Sequence, residues 1–311
     1  MVATQLDGRI LNLTNLDKPM FPTGFSKGEV LAYLLDVAGA LLPAISDRCV
    51  TRVRFPDGTA SEAFYEKNPP PGCPDWVGRQ RVATSSGSEF LTPSTRPELA
   101  YLGNLGTLEF HAPQWRISEA TDSPEGIVLG GDDEPRADTF VVDLDPGDGL
   151  RPADSARAAI LAATALAELG LVGHVKTSGN KGLQISVPIH PTPCSEVHEF
   201  ASAFSAHLAS RHPATFVATM ALEARRGKVY VDAHQNLASR NTIAAYSLRG
   251  VEQPSVATPL TWDELAAVDE TQSRFRYSPA EVLERLDRLG DLWAVVHDES
   301  ARQVLPAPPT D

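Results

Sequence analysis

The run Phe140-Val141-Val142-Asp143-Leu144-Asp145 stops at Pro146-Gly147-Asp148-Gly149, and this junction constrains the chain more than any other. A β-strand repeats every second residue, so Asp143 and Asp145 leave the same face, beside a turn that ends the strand. Two carboxylates held that close repel each other unless a cation lies between them. Aspartates also favour turns after buried strands by bonding their own backbone, so the pair alone is compatible with a simple polar turn.

Two further segments add chemistry to that junction. Val175-Lys176-Thr177-Ser178-Gly179-Asn180-Lys181-Gly182-Leu183-Gln184 leads into the apolar residues 185–189. Its glycines let backbone N–H groups approach an anion, and Ser178 and Lys181 supply a donor and a charge, which makes a phosphate cradle. The Walker spacing is missing, and a glycine-rich hairpin turn explains the glycines equally well. Lys228-Val229-Tyr230-Val231-Asp232-Ala233-His234-Gln235-Asn236 is a second β-prone run ending in a carboxylate. Asp232 either completes a three-carboxylate site or caps the turn that follows.

In this order the three segments resemble the polymerase domain of bacterial ligase D, a branch of the archaeo-eukaryotic primase superfamily. The resemblance continues in Leu13-Thr14-Asn15-Leu16-Asp17-Lys18-Pro19, Phe25-Ser26-Lys27-Gly28-Glu29-Val30, Phe64-Tyr65-Glu66-Lys67-Asn68 and Leu108-Glu109-Phe110-His111. It extends through Tyr246-Ser247-Leu248-Arg249 to Thr258-Pro259-Leu260-Thr261-Trp262-Asp263-Glu264-Leu265, and so covers nearly the whole chain. It implies an α+β primase-polymerase fold, two α/β modules with mixed or antiparallel sheets that share one active-site cleft. The expected layout is a single domain over 1–311, with an N-terminal module at 1–112 carrying DNA-end contacts, a catalytic module at 139–300 and a frayed tail at 301–311. Nothing resembles the ligase or nuclease domains that often accompany this module, so a stand-alone form is expected.

The 311 residues, 42% hydrophobic and 22% charged, suit a globular protein with a sizeable core. Cys49, Cys73 and Cys194 are too scattered for a zinc cluster or a disulfide framework. No leader pattern and no run of roughly 20 apolar residues is present, so the expected location is the cytoplasm, at the bacterial nucleoid, without a membrane. A formal charge of −13 opposes a uniformly basic nucleic-acid surface. Basic residues nevertheless cluster: Lys18, Lys27, Arg52, Arg54 and Lys67 early, then Lys176, Lys181, Arg225, Arg226, Lys228, Arg240 and Arg249 in or beside the motifs. Acidic residues crowd 119–138 and 263–291 instead. Weak DNA affinity, improved by a terminal phosphate, is the expectation.

Local patterns predict a helix over 30–42, opened by a Ser26–Glu29 capping box and closed by Pro43. Strands are expected at 49–55, 107–111, 172–177 and 185–189, and helices at 151–170, 195–212 and 282–295. Residues 118–138 read as a polar loop.

Adding a nucleotide to a 3′ hydroxyl requires activating that hydroxyl and neutralising the triphosphate, which two divalent ions held by carboxylates can do. The resemblance implies that Asp143 and Asp145 bridge both ions while Asp232 binds the one at the primer hydroxyl. Oxygen ligands suit Mg²⁺ or Mn²⁺, and the resemblance implies good use of Mn²⁺. It places His111, Ser178, Lys181, Gln184, Gln235 and Arg249 around the nucleotide. The alternatives are a core histidine at 111 and a surface arginine at 249. Gln184 stands where the family more often has histidine, and glutamine cannot carry that proton or charge. Asn15, Lys18 and Lys27 resemble the pocket for a 5′-phosphate, or else are solvated lysines at a helix start. Phe64 and Lys67 are expected to touch the template, Phe64 by stacking unless it lies in the core. Implied partners are gapped or broken DNA, NTP or dNTP, Ku and a DNA ligase. The same residues could start primers de novo, serve a metal-dependent phosphatase or nuclease, or belong to a non-catalytic nucleic-acid-binding factor.

Overall fold

The computed structural model describes residues 1–83, 87–121, 123–269, 271 and 275–310. Asp122 of the expected 118–138 loop and Asp311 of the tail lie outside them. The larger sheet runs Phe216–Val217, Val229–Val231, Arg136–Pro146, Leu183–Pro193, His174–Thr177, Pro259–Leu260, in that spatial order. The helix Pro152–Glu168 links the strands Arg136–Pro146 and His174–Thr177, passing over the strand between them. The helix Cys194–Arg211 likewise carries the chain from Leu183–Pro193 to the opposite edge. Numbered along the chain, the four main strands stand 4-1-3-2, the split β-α-β arrangement of ferredoxin-like folds.

Alternation along these strands decides which face is wet. Phe140, Val142 and Leu144 join Ile185, Val187, Val229 and Val231 in one buried core with Ala158, Ala162, Phe200 and Phe204 of the two helices. Phe140 meets the rings of Phe200 and Phe204 edge-on, at 5.1 and 6.0 Å between centroids. Asp143 and Asp145, being of opposite parity, leave the other face, which looks toward the second half of the protein.

That half is built on the four-stranded sheet Thr242–Ile243, Thr107–Ala112, Thr51–Arg54, Phe64–Glu66. The helices Lys27–Asp36, Ala38–Ile45 and Arg96–Asn104 share its core through Leu34, Leu41 and Leu102. Arg79–Ala83 pairs with Ser88–Leu91 and Ile127–Val128 in a smaller sheet, and Val2–Leu6 with Arg9–Leu13 in a hairpin.

Four expectations change. The helix expected over 30–42 is two helices meeting at 79° around Val37, and Pro43 lies inside the second. Pro43 therefore does not end the helix: its missing N–H and its ring affect the turn before it, and the helix runs on to Ile45, with the Ser46 amide bonding the Leu42 carbonyl at 2.7 Å. The 118–138 stretch is not all loop. It contains the strand Ile127–Val128, and Arg136–Pro146 begins before the apolar run. Asp138 there is not surface charge but a buried anion, bonded by Arg48 at 2.7 Å and Arg116 at 2.7 Å. The helix expected to reach 295 ends at Leu289, where Gly290 turns with φ +72°, and a short helix Ala294–His297 follows. The tail, expected to fray from 301, is tied down through 303: Arg302 pairs with Glu119 at 2.8 Å, and Gln303 bonds Pro188 and His190. No single described helix is long and apolar enough to cross a membrane.

Candidate active site

Strand register assembles the site. Gln184 lies opposite Asp143, Lys176 opposite Gln184, and the amide of Asp232 donates to the Asp143 carbonyl at 3.0 Å. Four residues from four neighbouring strand ends therefore form one row. Asp145 sits one step beyond, opposite Tyr230. The strand can turn so closely only at Gly147, where a Cβ would come within 1.8 Å of the Arg225 carbonyl oxygen. Across from it, Gly179 opens the Ser178–Gly182 turn with φ +73° and packs against Val256.

These elements enclose an open cleft of about 840 Å³. Asp143, Asp145, His111, Ser178, Lys181, Gln184, Gln235 and Arg249 all line it, and Asn180, Arg225, Arg226 and Asn241 complete its polar wall. The sequence-expected nucleotide residues thus converge although 138 positions separate His111 from Arg249. His111 is not an isolated core histidine, and Arg249 is not a free surface arginine. Glu109 joins them, at 2.8 Å from His111 Nε2 and 3.3 Å from Arg249, and accepts from the Gly250 amide at 2.9 Å. Burial opposes the charge on Glu109, but His111, Arg249 and Gly250 hold its carboxyl below the usual range.

Gln184 lines the cleft with the other expected nucleotide residues. Its amide oxygen accepts from Lys176 and its NH₂ donates to Asp143 at 3.1 Å, so both ends of the amide are engaged by protein partners. Burial and the charge of Asp145 push Asp143 up to about 7, with the Gln184 bond opposing them. Although its side chain is half exposed, the walls of the cleft partly desolvate Asp145 and raise it as well, against the pull of Arg225, 3.9 Å away. Burial pulls Lys176 down to about 7. Both carboxyls are raised first by desolvation, Asp143 further by the charges of Asp145 and Asp232, and Asp145 by that of Asp232; a divalent cation would relieve that repulsion, and carboxylate oxygens suit a hard ion.

Asp232 is closest to them by backbone, yet its carboxylate faces its own loop. It accepts from the Tyr230 hydroxyl at 3.2 Å, the His234 amide at 3.0 Å and Gln235 Nε2 at 3.1 Å. Among the described residues no three His, Cys, Asp or Glu side chains are gathered as a closed metal-ligand set.

The 5′-phosphate candidates are adjacent in space. Lys27 donates its amide to Lys18, and Lys18 donates its amide to Asn15, which is held at φ +53°. The two lysines differ, however. Lys18 is half-buried, bonding Pro56 at 2.6 Å and Asp57 at 2.9 Å. Lys27 is not solvated: it is 6% exposed and donates to the Asn104 carbonyl at 2.7 Å, and burial followed by Lys18 lowers its pKa. Phe64 is not core; it is 45% exposed beside Tyr65, and Lys67 stands 5.9 Å above the Phe90 ring.

Sequence reasoning missed Lys176, Glu109, Asn180 and Asn241 as parts of the site. Glu109 was findable, since it lies two residues from His111 on the same strand face. Asn180 was also findable, inside the quoted glycine-rich turn. Lys176 was findable too, since it faces Gln184 across the hairpin of that same segment, whereas Asn241 is placed by its bond to Thr51, 190 positions away.

Fold and cleft together define a primase-polymerase type of domain. The chain belongs to the LigD primase-polymerase domain family, whose model matches residues 26–293. It is 39% identical over 287 residues to the multifunctional non-homologous end joining protein LigD of Mycolicibacterium smegmatis, covering 91% of this chain and 36% of that protein. Identity to the bifunctional LigD of Bacillus subtilis is 30% over 258 residues, covering 82% and 39%. The chain therefore spans about a third of the length of the curated relatives it matches. The solved polymerase domain of Mycobacterium tuberculosis ligase D, in complex with DNA, superposes with a TM-score of 0.83 at 36% identity, covering 93% of this chain and 98% of that one.

Proposed function

We propose that this protein is a template-dependent nucleotidyltransferase that extends primers and fills short gaps at DNA breaks. The observation that carries this reading is the pairing of Asp143 and Asp145 in one cleft with Ser178, Lys181, Arg225 and Arg249. Carboxylates that need cations and cations that need phosphates, arranged around one cleft, suit a metal–triphosphate complex.

In this reading Asp143 and Asp145 hold two divalent ions, Mn²⁺ or Mg²⁺, which supply charge neutralisation and hydroxyl activation when bound. Asp232 joins them by giving up its contacts with His234 and Gln235. Lys181, Ser178 and Arg249 orient the triphosphate, with Glu109 fixing Arg249 and His111. Gln235 lies beside the nucleotide, while Phe64 and Lys67 meet the template. Residues 1–112 carry the DNA-end contacts and 139–300 the catalytic ones. Ribonucleotides are accepted, and Ku and a DNA ligase act on the same breaks in the bacterial cytoplasm. Primer extension on a gapped duplex tests this, comparing NTP with dNTP and Mn²⁺ with Mg²⁺. Addition of one nucleotide at the gap is expected with Mn²⁺ and NTP, and no extension under any of the four conditions refutes the reading.

Asn15, Lys18 and Lys27 are proposed to receive the 5′-phosphate at the far side of the gap. Lys18→Ala is expected to weaken the preference for 5′-phosphorylated gaps by about tenfold or more, the effect of one hydrogen bond to a charged group. Extension of a simple primer should be unaffected. Lys27→Ala is a poorer probe, because it also strips a donor from the Asn104 carbonyl. Unchanged preference in Lys18→Ala, measured by competition between phosphorylated and unphosphorylated gaps, would remove this pocket from the account.

A further inference from the structure

We propose that Lys176 is a positioning residue for Asp143, acting through the Gln184 amide. The inference rests on the reading that Asp143 holds a divalent ion. Lys176, Gln184 and Asp143 occupy matched positions on three adjacent strands, all on the cleft face and all buried. The Lys176 ammonium bonds two oxygens, Gln184 Oε1 and the Ile243 carbonyl, the latter at 2.9 Å. An ammonium has donors and no acceptor, so the oxygen end of the amide must face it. The NH₂ end then points the other way, to Asp143 Oδ1 at 3.1 Å. A flipped amide would set its NH₂ against the ammonium and its oxygen against the carboxylate, two repulsions inside a site with little water to relieve them.

Lys176 thereby fixes which way Gln184 faces, and Gln184 fixes Asp143. One Asp143 oxygen is held by the amide while the other remains for a cation. Among the described residues Asp145 has no comparable anchor: it is exposed, and Arg225 stands 3.9 Å away. The two carboxylates thus differ, Asp143 being the anchored ligand and Asp145 the adjustable one. An imidazole at position 184 could make the same two bonds, accepting from Lys176 at one ring nitrogen and donating to Asp143 from the other. A leucine could make neither.

Mn²⁺ titration of the full chain without nucleotide or DNA, followed by electron paramagnetic resonance, separates this role from a general one. Lys176→Met and Gln184→Leu should each weaken Mn²⁺ binding by about tenfold, the effect of one hydrogen bond to a charged group. The double variant should be no weaker than Gln184→Leu alone, because the lysine acts only through the amide. Gln184→His should retain the wild-type Mn²⁺ affinity. Were the lysine merely a nearby positive charge, its removal would tighten cation binding. Tighter or unchanged binding in folded Lys176→Met, or additive losses in the double variant, overturns the proposal. Should Lys176→Met not fold, equal affinities of Gln184→Leu and Gln184→His overturn it instead. A wild-type chain that binds Mn²⁺ yet extends no primer sinks the functional reading and leaves this comparison standing.

Discussion

Asp145→Ala is expected to fold as the wild type does and to lose primer extension by on the order of a thousandfold or more, since metal ions contribute several kcal/mol to the transition state. The fold should survive because Asp145 is exposed and supports no buried network; its one ion pair, to Arg225, is long at 3.9 Å. Removing it also relieves repulsion at Asp143, whose raised pKa owes its second-largest contribution to Asp145. Stability unchanged or slightly higher, with extension gone, is therefore the joint expectation. Urea unfolding and a gap-filling time course on the same preparation measure both. Retained extension would show that the reacting metal is held elsewhere.

Asp138→Ala should be the most damaging single change to the fold, at about 3–5 kcal/mol, the cost of leaving buried charges without their partner. Asp138 is 2% exposed and lies near the start of the strand that later carries Asp143 and Asp145. Arg48 reaches it with two nitrogen–oxygen contacts of 2.9 and 2.7 Å, Arg116 with one of 2.7 Å, and Arg302 stands 3.9 Å away. Burial alone would raise this carboxyl; Arg48 and Arg116 overcome that and hold it at about 2. A depressed carboxylate stabilises the fold above its unfolded value near 4, and the gain disappears as pH falls through about 2, amounting to roughly 2–3 kcal/mol. Wild-type stability should consequently drop over that acid window, and Asp138→Ala should lack this part of the drop. A variant within about 0.5 kcal/mol of wild type in urea, the range of ordinary surface changes, would contradict the assignment.

What could be read from the sequence follows from how far apart the cooperating residues lie. The Asp143 strand, its turn and the helix after it were legible because period-two alternation and Gly-Pro punctuation are local signals. The resemblance supplied the remote members, and the cleft brings His111, Ser178, Lys181, Gln235 and Arg249 to one wall. Gln184 is expected at the phosphate because its neighbours point there; its bond to Lys176 crosses the hairpin of its own segment, while its bond to Asp143, 41 positions away, comes from register with a remote strand. Asp138 was counted with surface acids, since charge counting ignores burial and its arginines lie 90 and 22 residues away. The alternative of Lys27 as a solvated lysine stayed open in the sequence for the same reason, its partner Asn104 being 77 positions distant. The break at Val37 was invisible because apolar spacing runs on through a bend that turns the first helix onto the helix Arg96–Asn104 and the second onto the strand Thr107–Ala112.

The most direct test counts pyrophosphate against nucleotides joined on a gapped, 5′-phosphorylated duplex with Mn²⁺ and a single NTP. Coupled ion chemistry at Asp143 and Asp145 predicts one pyrophosphate for every nucleotide added, and none when the ion is chelated. Orthophosphate released from the nucleotide, with no lengthening of the primer, would contradict it.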